Sequence, residues 1–189
     1  AESTRVDSNP NFSADGSKVV FSSDRSGRLA VWSANRNGTN LTRLTEMPIA
    51  GTPRWSPDGS EVAFDAPRDG GLEVYAVPAF RGETRQVTTS AEDDTVPSYS
   101  RDGRWIYFAS NRSGEWQIWR AALGEEENAT AEQMTRGGGY APRASPDGRY
   151  LYFARQRADL TGGVTSIWRM PAAGGDEEAV VESSRSGFG

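Results

Sequence analysis

Short apolar runs recur along the chain at a nearly fixed spacing, separated by stretches rich in Gly, Asp and Ser. Val19-Val20-Phe21, Val62-Ala63-Phe64, Trp105-Ile106-Tyr107-Phe108 and Tyr150-Leu151-Tyr152-Phe153 form one set. β-Branched and aromatic residues of this kind suit strands covered on both faces. Val31-Trp32, Val74-Tyr75, Ile118-Trp119 and Ile167-Trp168 form a second set downstream of the first. Leu44-Thr45, Val87-Thr88, Met134-Thr135 and, less clearly, Val180-Val181 close each copy. An opening strand around Pro10 to Phe12, Pro53 to Trp55, Pro97 to Tyr99 and Pro142 to Ala144 completes a four-stranded unit. Pro lacks a ladder donor, so it belongs at a strand start or an edge.

A polar marker sets the period. Ser-x-Asp-Gly occurs with its Asp at positions 15, 58, 102 and 147, giving spacings of 43, 44 and 45 residues. That is the length of one β-propeller blade. A Pro lies five residues before each of these Asp residues and a Phe six after. Asp-Gly predicts the hairpin turn between the first two strands, because Gly supplies the positive φ. Asp15, Asp58, Asp102 and Asp147 therefore read as folding signals. A single blade cannot bury its own aromatics, whereas stacked blades can. Trp32, Tyr75, Trp119 and Trp168 are accordingly expected to be largely buried between blades. The fold class is all-β: four tandem four-stranded antiparallel blades over about 8–46, 51–89, 95–136 and 140–182, within one propeller domain or segment spanning 1–189.

Composition narrows the chemistry. The net charge of −5 disfavours nucleic acid as a partner, since phosphate binding needs a basic face. The chain contains neither Cys nor His. Disulfides, thiolate metal sites and Ser-His or Cys-His nucleophile pairs are excluded. No nucleophile elbow, Walker loop or dinucleotide fingerprint occurs. No cofactor is expected, and no apolar run approaches the length of a membrane span. Ala1-Glu2-Ser3-Thr4-Arg5 lacks both an initiator Met and a signal-peptide pattern, so the expectation is a segment of a longer protein.

Pro-x-aromatic-Ser-Pro-Asp-Gly over Pro53 to Gly59, an apolar run to Phe64, and Ser-x-Arg-x-Gly before Ile/Val-Trp resemble the TolB-like propeller repeat. Ser23-Asp24-Arg25-Ser26-Gly27 and Ser110-Asn111-Arg112-Ser113-Gly114 are the clearest copies of the Ser-x-Arg loop. The resemblance runs from about Ser8 to Val181. It implies a bacterial, periplasmic or otherwise extracytoplasmic propeller that binds protein or peptide partners without catalysing a reaction. Similar repeats precede the hydrolase domain of prolyl-oligopeptidase-like peptidases, so a substrate-gating propeller is the alternative.

Several residues are candidates for contact with a partner. Asn11, Arg54, Ser98 and Arg143 lie between Pro and the aromatic in successive copies and vary while the frame stays constant. They are expected to line a channel, either as binding residues or as a solvated wall. Arg25, Arg68 and Arg112 recur in the second-to-third loops. They read either as a rim that grips carboxylates or as braces between neighbouring loops. Asp93 and Asp94 precede the opening strand of copy three. They read as a cation or partner contact or as a solvated turn, and one acidic pair lacks the ligand number Ca²⁺ needs. Glu125, Glu126 and Glu127 read as a solvated hairpin tip. Copy four owns all its strands and nothing resembles a clasp. The chain is thus expected to be part of a larger propeller, with exposed end blades through which copies could self-associate.

Overall fold

The computed structural model describes residues 6–68, 70–80, 82–124, 130–156 and 165–181. These form sixteen strands in four antiparallel sheets, each following chain order from inner to outer strand. Blade 1 holds β1 (Asp7–Phe12), β2 (Lys18–Ser23), β3 (Ala30–Asn35) and β4 (Thr42–Arg43). Blade 2 holds β5 (Gly51–Trp55), β6 (Glu61–Arg68), β7 (Gly71–Pro78) and β8 (Arg85–Gln86). Blade 3 holds β9 (Asp94–Tyr99), β10 (Trp105–Ser110), β11 (Gln117–Ala122) and β12 (Glu132–Gln133). Blade 4 holds β13 (Tyr140–Ala144), β14 (Tyr150–Gln156), β15 (Thr165–Pro171) and β16 (Glu178–Val181). No described helix is long and apolar enough to cross a membrane. Glu125 to Glu127 lie outside the described residues.

The Ser-x-Asp-Gly turn has one geometry in all four blades. The Ser hydroxyl donates to the Asp carboxylate at 2.6 Å. The same hydroxyl accepts from the backbone N–H five residues on, at Lys18, Glu61, Trp105 and Tyr150. The turn Gly has φ between +68° and +72°, which only Gly adopts without strain.

The outermost strands of blades 1 to 3 begin two residues before the expected Leu44-Thr45, Val87-Thr88 and Met134-Thr135 pairs. The Thr hydroxyl explains the shift. Thr45, Thr88 and Thr135 each turn inward and accept the N–H of Val31, Val74 and Ile118. A buried side chain thus replaces the next rung of the ladder.

Each inner strand carries a bulge that the sequence reading did not anticipate. The ladder slips between Ser8 and Asn11, Gly51 and Arg54, Thr95 and Ser98, and Tyr140 and Arg143. The residue before each Pro has positive φ: Asn9, Thr52, Val96 and Ala141. For β-branched Thr52 and Val96 this conformation is strained and needs support from its surroundings.

Three hydrophobic cores lie between the four blades. Val20 and Val31 of blade 1 meet Trp55, Val62, Phe64 and Tyr75 of blade 2. Ala63 and Val74 of blade 2 meet Tyr99, Ile106 and Phe108 of blade 3. Tyr107, Ala109 and Ile118 of blade 3 meet Leu151, Phe153 and Met170 of blade 4. Tyr75 is buried as expected. Trp119 and Trp168 are half-buried and pack against the second and third cores, and Trp32 is half-buried without a place in any of the three, so burial is less complete than expected at these three positions. Guanidinium groups of Arg25, Arg112 and Arg155 lie over their indole rings at 5.4, 5.0 and 4.0 Å from the centroids. Cation–π stacking covers what a neighbouring blade does not.

The two end blades show one uncovered face each. Phe12 is 59% exposed, whereas Trp55 and Tyr99 at the equivalent positions are 7% exposed. Ile167 is 38% exposed, whereas Val31, Val74 and Ile118 at its equivalent positions are fully buried.

Candidate functional site

The first strands of successive blades pack side by side, β1 on β5, β5 on β9 and β9 on β13. Where they converge they line a cavity of about 230 Å³. Asn11, Arg54, Ser98 and Arg143 all reach it, one from each blade. The repeat places them at one position of the inner strand, just past the bulge.

These four side chains are held differently. Asn11 accepts the N–H of Trp55 through Oδ1 at 2.9 Å, which joins blade 1 to blade 2. Ser98 is buried. Arg54 and Arg143 fold back alike: each donates from Nη1 to the carbonyl of its preceding Pro, at 2.7 and 2.6 Å. Nε of Arg54 is buried without a partner. Burial lowers the pKa of Arg54 from its ordinary value, against the charge of Asp65. Burial and the neighbouring charge of Arg54 bring Arg143 down to about 10.

Sequence reasoning missed a second ring. The variable residue of each Ser-x-Asp-Gly turn, Ala14, Pro57, Arg101 and Pro146, lines the same cavity. The signal was present in the repeat, since these positions also vary on a constant frame. Asp65 was missed too, for want of any equivalent in the other copies. It is buried on β6 and accepts from the Thr52 and Thr95 hydroxyls and from Val96 N–H. It therefore clamps the two strained bulges of blades 2 and 3.

The remaining candidates do not line this cavity. Arg25 donates from Nε to Ser23 and from Nη2 to Asp7. Arg112 makes the same pair of bonds to Ser110 and Asp94. These braces join strands of one blade and do not link neighbouring loops. In blade 2 Ala66 and Ala50 replace the Ser and the Asp, and Arg68 bonds Gln86 instead. In blade 4 the bracing arginine is Arg155, two residues earlier in the repeat, and its partner is Glu177.

Asp93 and Asp94 both lie in the seam between blades 2 and 3. Asp93 accepts Leu72 N–H at 2.8 Å, and its own N–H donates to Asn111. Asp94 is fully buried with Oδ2 on Arg112, and Oδ1 has no partner. Glu73, also buried, stands beside it. Burial, reinforced by Asp94, raises the pKa of Glu73 above the ordinary value, although Thr88 and Ser90 both donate to its carboxylate. Among the described residues no group of three His, Cys, Asp or Glu side chains is placed to hold a metal ion.

Comparison with known proteins agrees with this architecture. The family model for the TolB beta propeller domain matches residues 47–186. The fold is similar to that of a protein assigned as TolB in Agrobacterium tumefaciens, with TM-score 0.83 and 27% identity over 92% of this chain and 64% of that one. It is equally similar, at TM-score 0.83 and 22% identity, to TolB from Acinetobacter baumannii, covering 97% of this chain and 45% of that one. An uncharacterized protein of Agrobacterium fabrum is 41% identical over 66 residues, which is 34% of this chain and 21% of that protein. The chain thus spans less than two thirds of each of these relatives.

Proposed function

From the premise that the chain belongs to the TolB beta propeller domain family, we propose that it is a non-catalytic binding module which engages a segment of a protein or peptide at the cavity formed by its four inner strands. The observation that carries this reading is the convergence of Asn11, Arg54, Ser98 and Arg143 on one cavity. Four blades repeat a rigid frame, and the side chains that differ between them share one concave surface. Recognition sites have this build: a few placed polar groups on a scaffold that does not move. An extracytoplasmic setting belongs to the same reading, and so does association of copies through the uncovered faces of blades 1 and 4.

Peptide display against the immobilised chain tests it. Ala14 is exposed on the β1–β2 turn and lines the cavity, so Ala14→Trp narrows the cavity with little effect on folding. Selected peptides are expected to bind the parent chain and to lose affinity by about tenfold or more on this substitution, with the melting temperature unchanged. Failure to enrich any peptide, or peptides indifferent to Ala14→Trp, would remove the reading. Peptide turnover by the purified chain would do the same for the non-catalytic part.

A further inference from the structure

The cavity carries a local charge opposite to that of the chain. Arg54, Arg101 and Arg143 line it, and no Asp or Glu does, although the net charge is −5. Among the described residues none of these three arginines forms an ion pair with a carboxylate. The guanidinium groups that stack on aromatic rings, Arg25, Arg112, Arg120, Arg149, Arg155 and Arg169, all have carboxylate partners. Arg28, Arg36, Arg68 and Arg136 also lack an ion-paired carboxylate but are exposed, as is Arg101, so among the described residues Arg54 and Arg143 are the unpaired arginines partly withdrawn from water.

Arg54 and Arg143 occupy the same inner-strand position of blades 2 and 4 and repel one another. Each has one Nη1 hydrogen bond to the carbonyl behind it, which fixes the fork and leaves its other N–H groups unused by that bond. Nε of Arg54 is buried with nothing to donate to. Asp65, the carboxylate that acts on Arg54, is already occupied by three donors from the bulges. Two partly desolvated cations held near one another, neither in ion-pair contact with a carboxylate, raise the energy of the empty cavity. A planar anion that accepts from both forks would lower it.

We propose that this cavity is a carboxylate-accepting site, which takes an Asp or Glu side chain of an acidic peptide segment between Arg54 and Arg143. The proposal rests on the reading of the chain as a peptide-binding module and names the chemistry that module selects. A space of about 230 Å³ admits the end of one side chain, with Trp55 and Tyr99 at its wall to meet the adjoining methylene groups. An extended polyphosphate strand has no continuous basic track to follow on an acidic chain.

Titration calorimetry at low salt on the whole chain tests it with three probes. These are an acetylated, amidated hexapeptide alternating Glu with Gly, its Gln counterpart, and inorganic phosphate. The Glu peptide is expected to bind about tenfold or more tighter than the Gln peptide, since a hydrogen bond to a charged group is stronger than one to a neutral amide. Arg54→Gln and Arg143→Gln are each expected to weaken the Glu peptide by about tenfold without changing the Gln peptide. Both variants should melt at or above the parent temperature, because each removes an unpaired, repelling charge. Arg143→Lys, which keeps the charge and loses the fork, should fall between. Equal binding of the Glu and Gln peptides, Glu binding that survives both substitutions, or binding of phosphate alone would each overturn the proposal. Peptides that lose binding on Ala14→Trp but ignore charge would remove this inference and leave the binding-module reading in place.

Discussion

Arg25 and Arg112 occupy equivalent places and make equivalent bonds, yet their carboxylate partners differ. Asp94 is fully buried, whereas Asp7 is largely open to water. Removing the cation from a buried pair strands the remaining charge, which costs about 3–5 kcal/mol. Losing an exposed pair costs about 1 kcal/mol or less. Arg112→Ala should therefore destabilise the protein several times more than Arg25→Ala in urea unfolding. Near-equal losses would mean that stacking on Trp119 and Trp32, and not the ion pair, dominates both sites. Glu73 adds a dependence on pH. Its pKa is raised by burial and then by Asp94, so the folded protein holds a proton that the unfolded chain releases. Its contribution to stability is complete below the unfolded value of 4.5 and is lost as pH rises through the folded value. Asp15 and Asp58 act in the opposite sense. The Ser hydroxyl and the turn amides hold Asp15 down at about 2 and lower Asp58, so their contribution disappears as pH falls below 3.8. Glu73→Gln should abolish the decline in stability above pH 4.5 and leave the acid limb intact, measured by denaturant titration at each pH. An unchanged upper limb would assign the decline to another group.

The element most dependent on a single side chain is the outer strand of each blade, which has only two residues in blades 1 to 3. Thr45, Thr88 and Thr135 extend it by accepting a buried N–H of the neighbouring strand. Thr88 also donates to Glu73 at 2.6 Å, a bond that Thr45 lacks. Thr88→Val leaves two buried groups unpaired, at ~1–3 kcal/mol each, and Thr45→Val leaves one. Thr88→Val should therefore shift the urea midpoint further, and the reverse order would show that the hydroxyls are not what closes the strand. These Thr residues are visible in the sequence as members of the repeat, although the repeat alone points to strand residues and not to a hydroxyl that ends the ladder. The blades and turns were legible because each is encoded locally and four times over. The inner-strand bulges were not, since a positive φ at Thr52 or Val96 contradicts local preference and is imposed by Asp65 from another strand. Arg155 was missed for a related reason: it reaches the same place in space from two residues earlier in the chain. Asn11, Arg54, Ser98 and Arg143 were identifiable as a set. That two of them are half-buried cations with no carboxylate in ion-pair contact became apparent only with three dimensions.

At the scale of the whole molecule, four blades make three interfaces. Blade 2 is covered on both faces, and its Phe64, Val62 and Val74 are fully buried. Blade 1 turns Phe12, Phe21 and Trp32 outward, and blade 4 turns Ile167 and Val180 outward. These residues hold the frame positions that form the cores elsewhere, and among the described residues no further blade covers them. Each exposed face repeats positions that another blade covers elsewhere in the chain, so a contact between the last blade of one copy and the first blade of the next is the expectation. A contact of that kind is head-to-tail, and it either closes into a ring or continues as a chain of copies. Burying such apolar area returns about 25 cal/mol per Å² before the cost of association. The 189-residue chain on its own is therefore expected to self-associate at concentrations of about 10–100 µM, the range in which ~5.5–7 kcal/mol of association free energy is seen. Multi-angle light scattering across that range checks it. Phe12→Glu combined with Ile167→Glu places like charges on the two mating faces and should return the protein to monomer while leaving the three internal cores, and hence the unfolding midpoint, little changed. A parent chain that stays monomeric throughout would show that the two faces do not accept one another, and that their apolar positions are matched to a different surface.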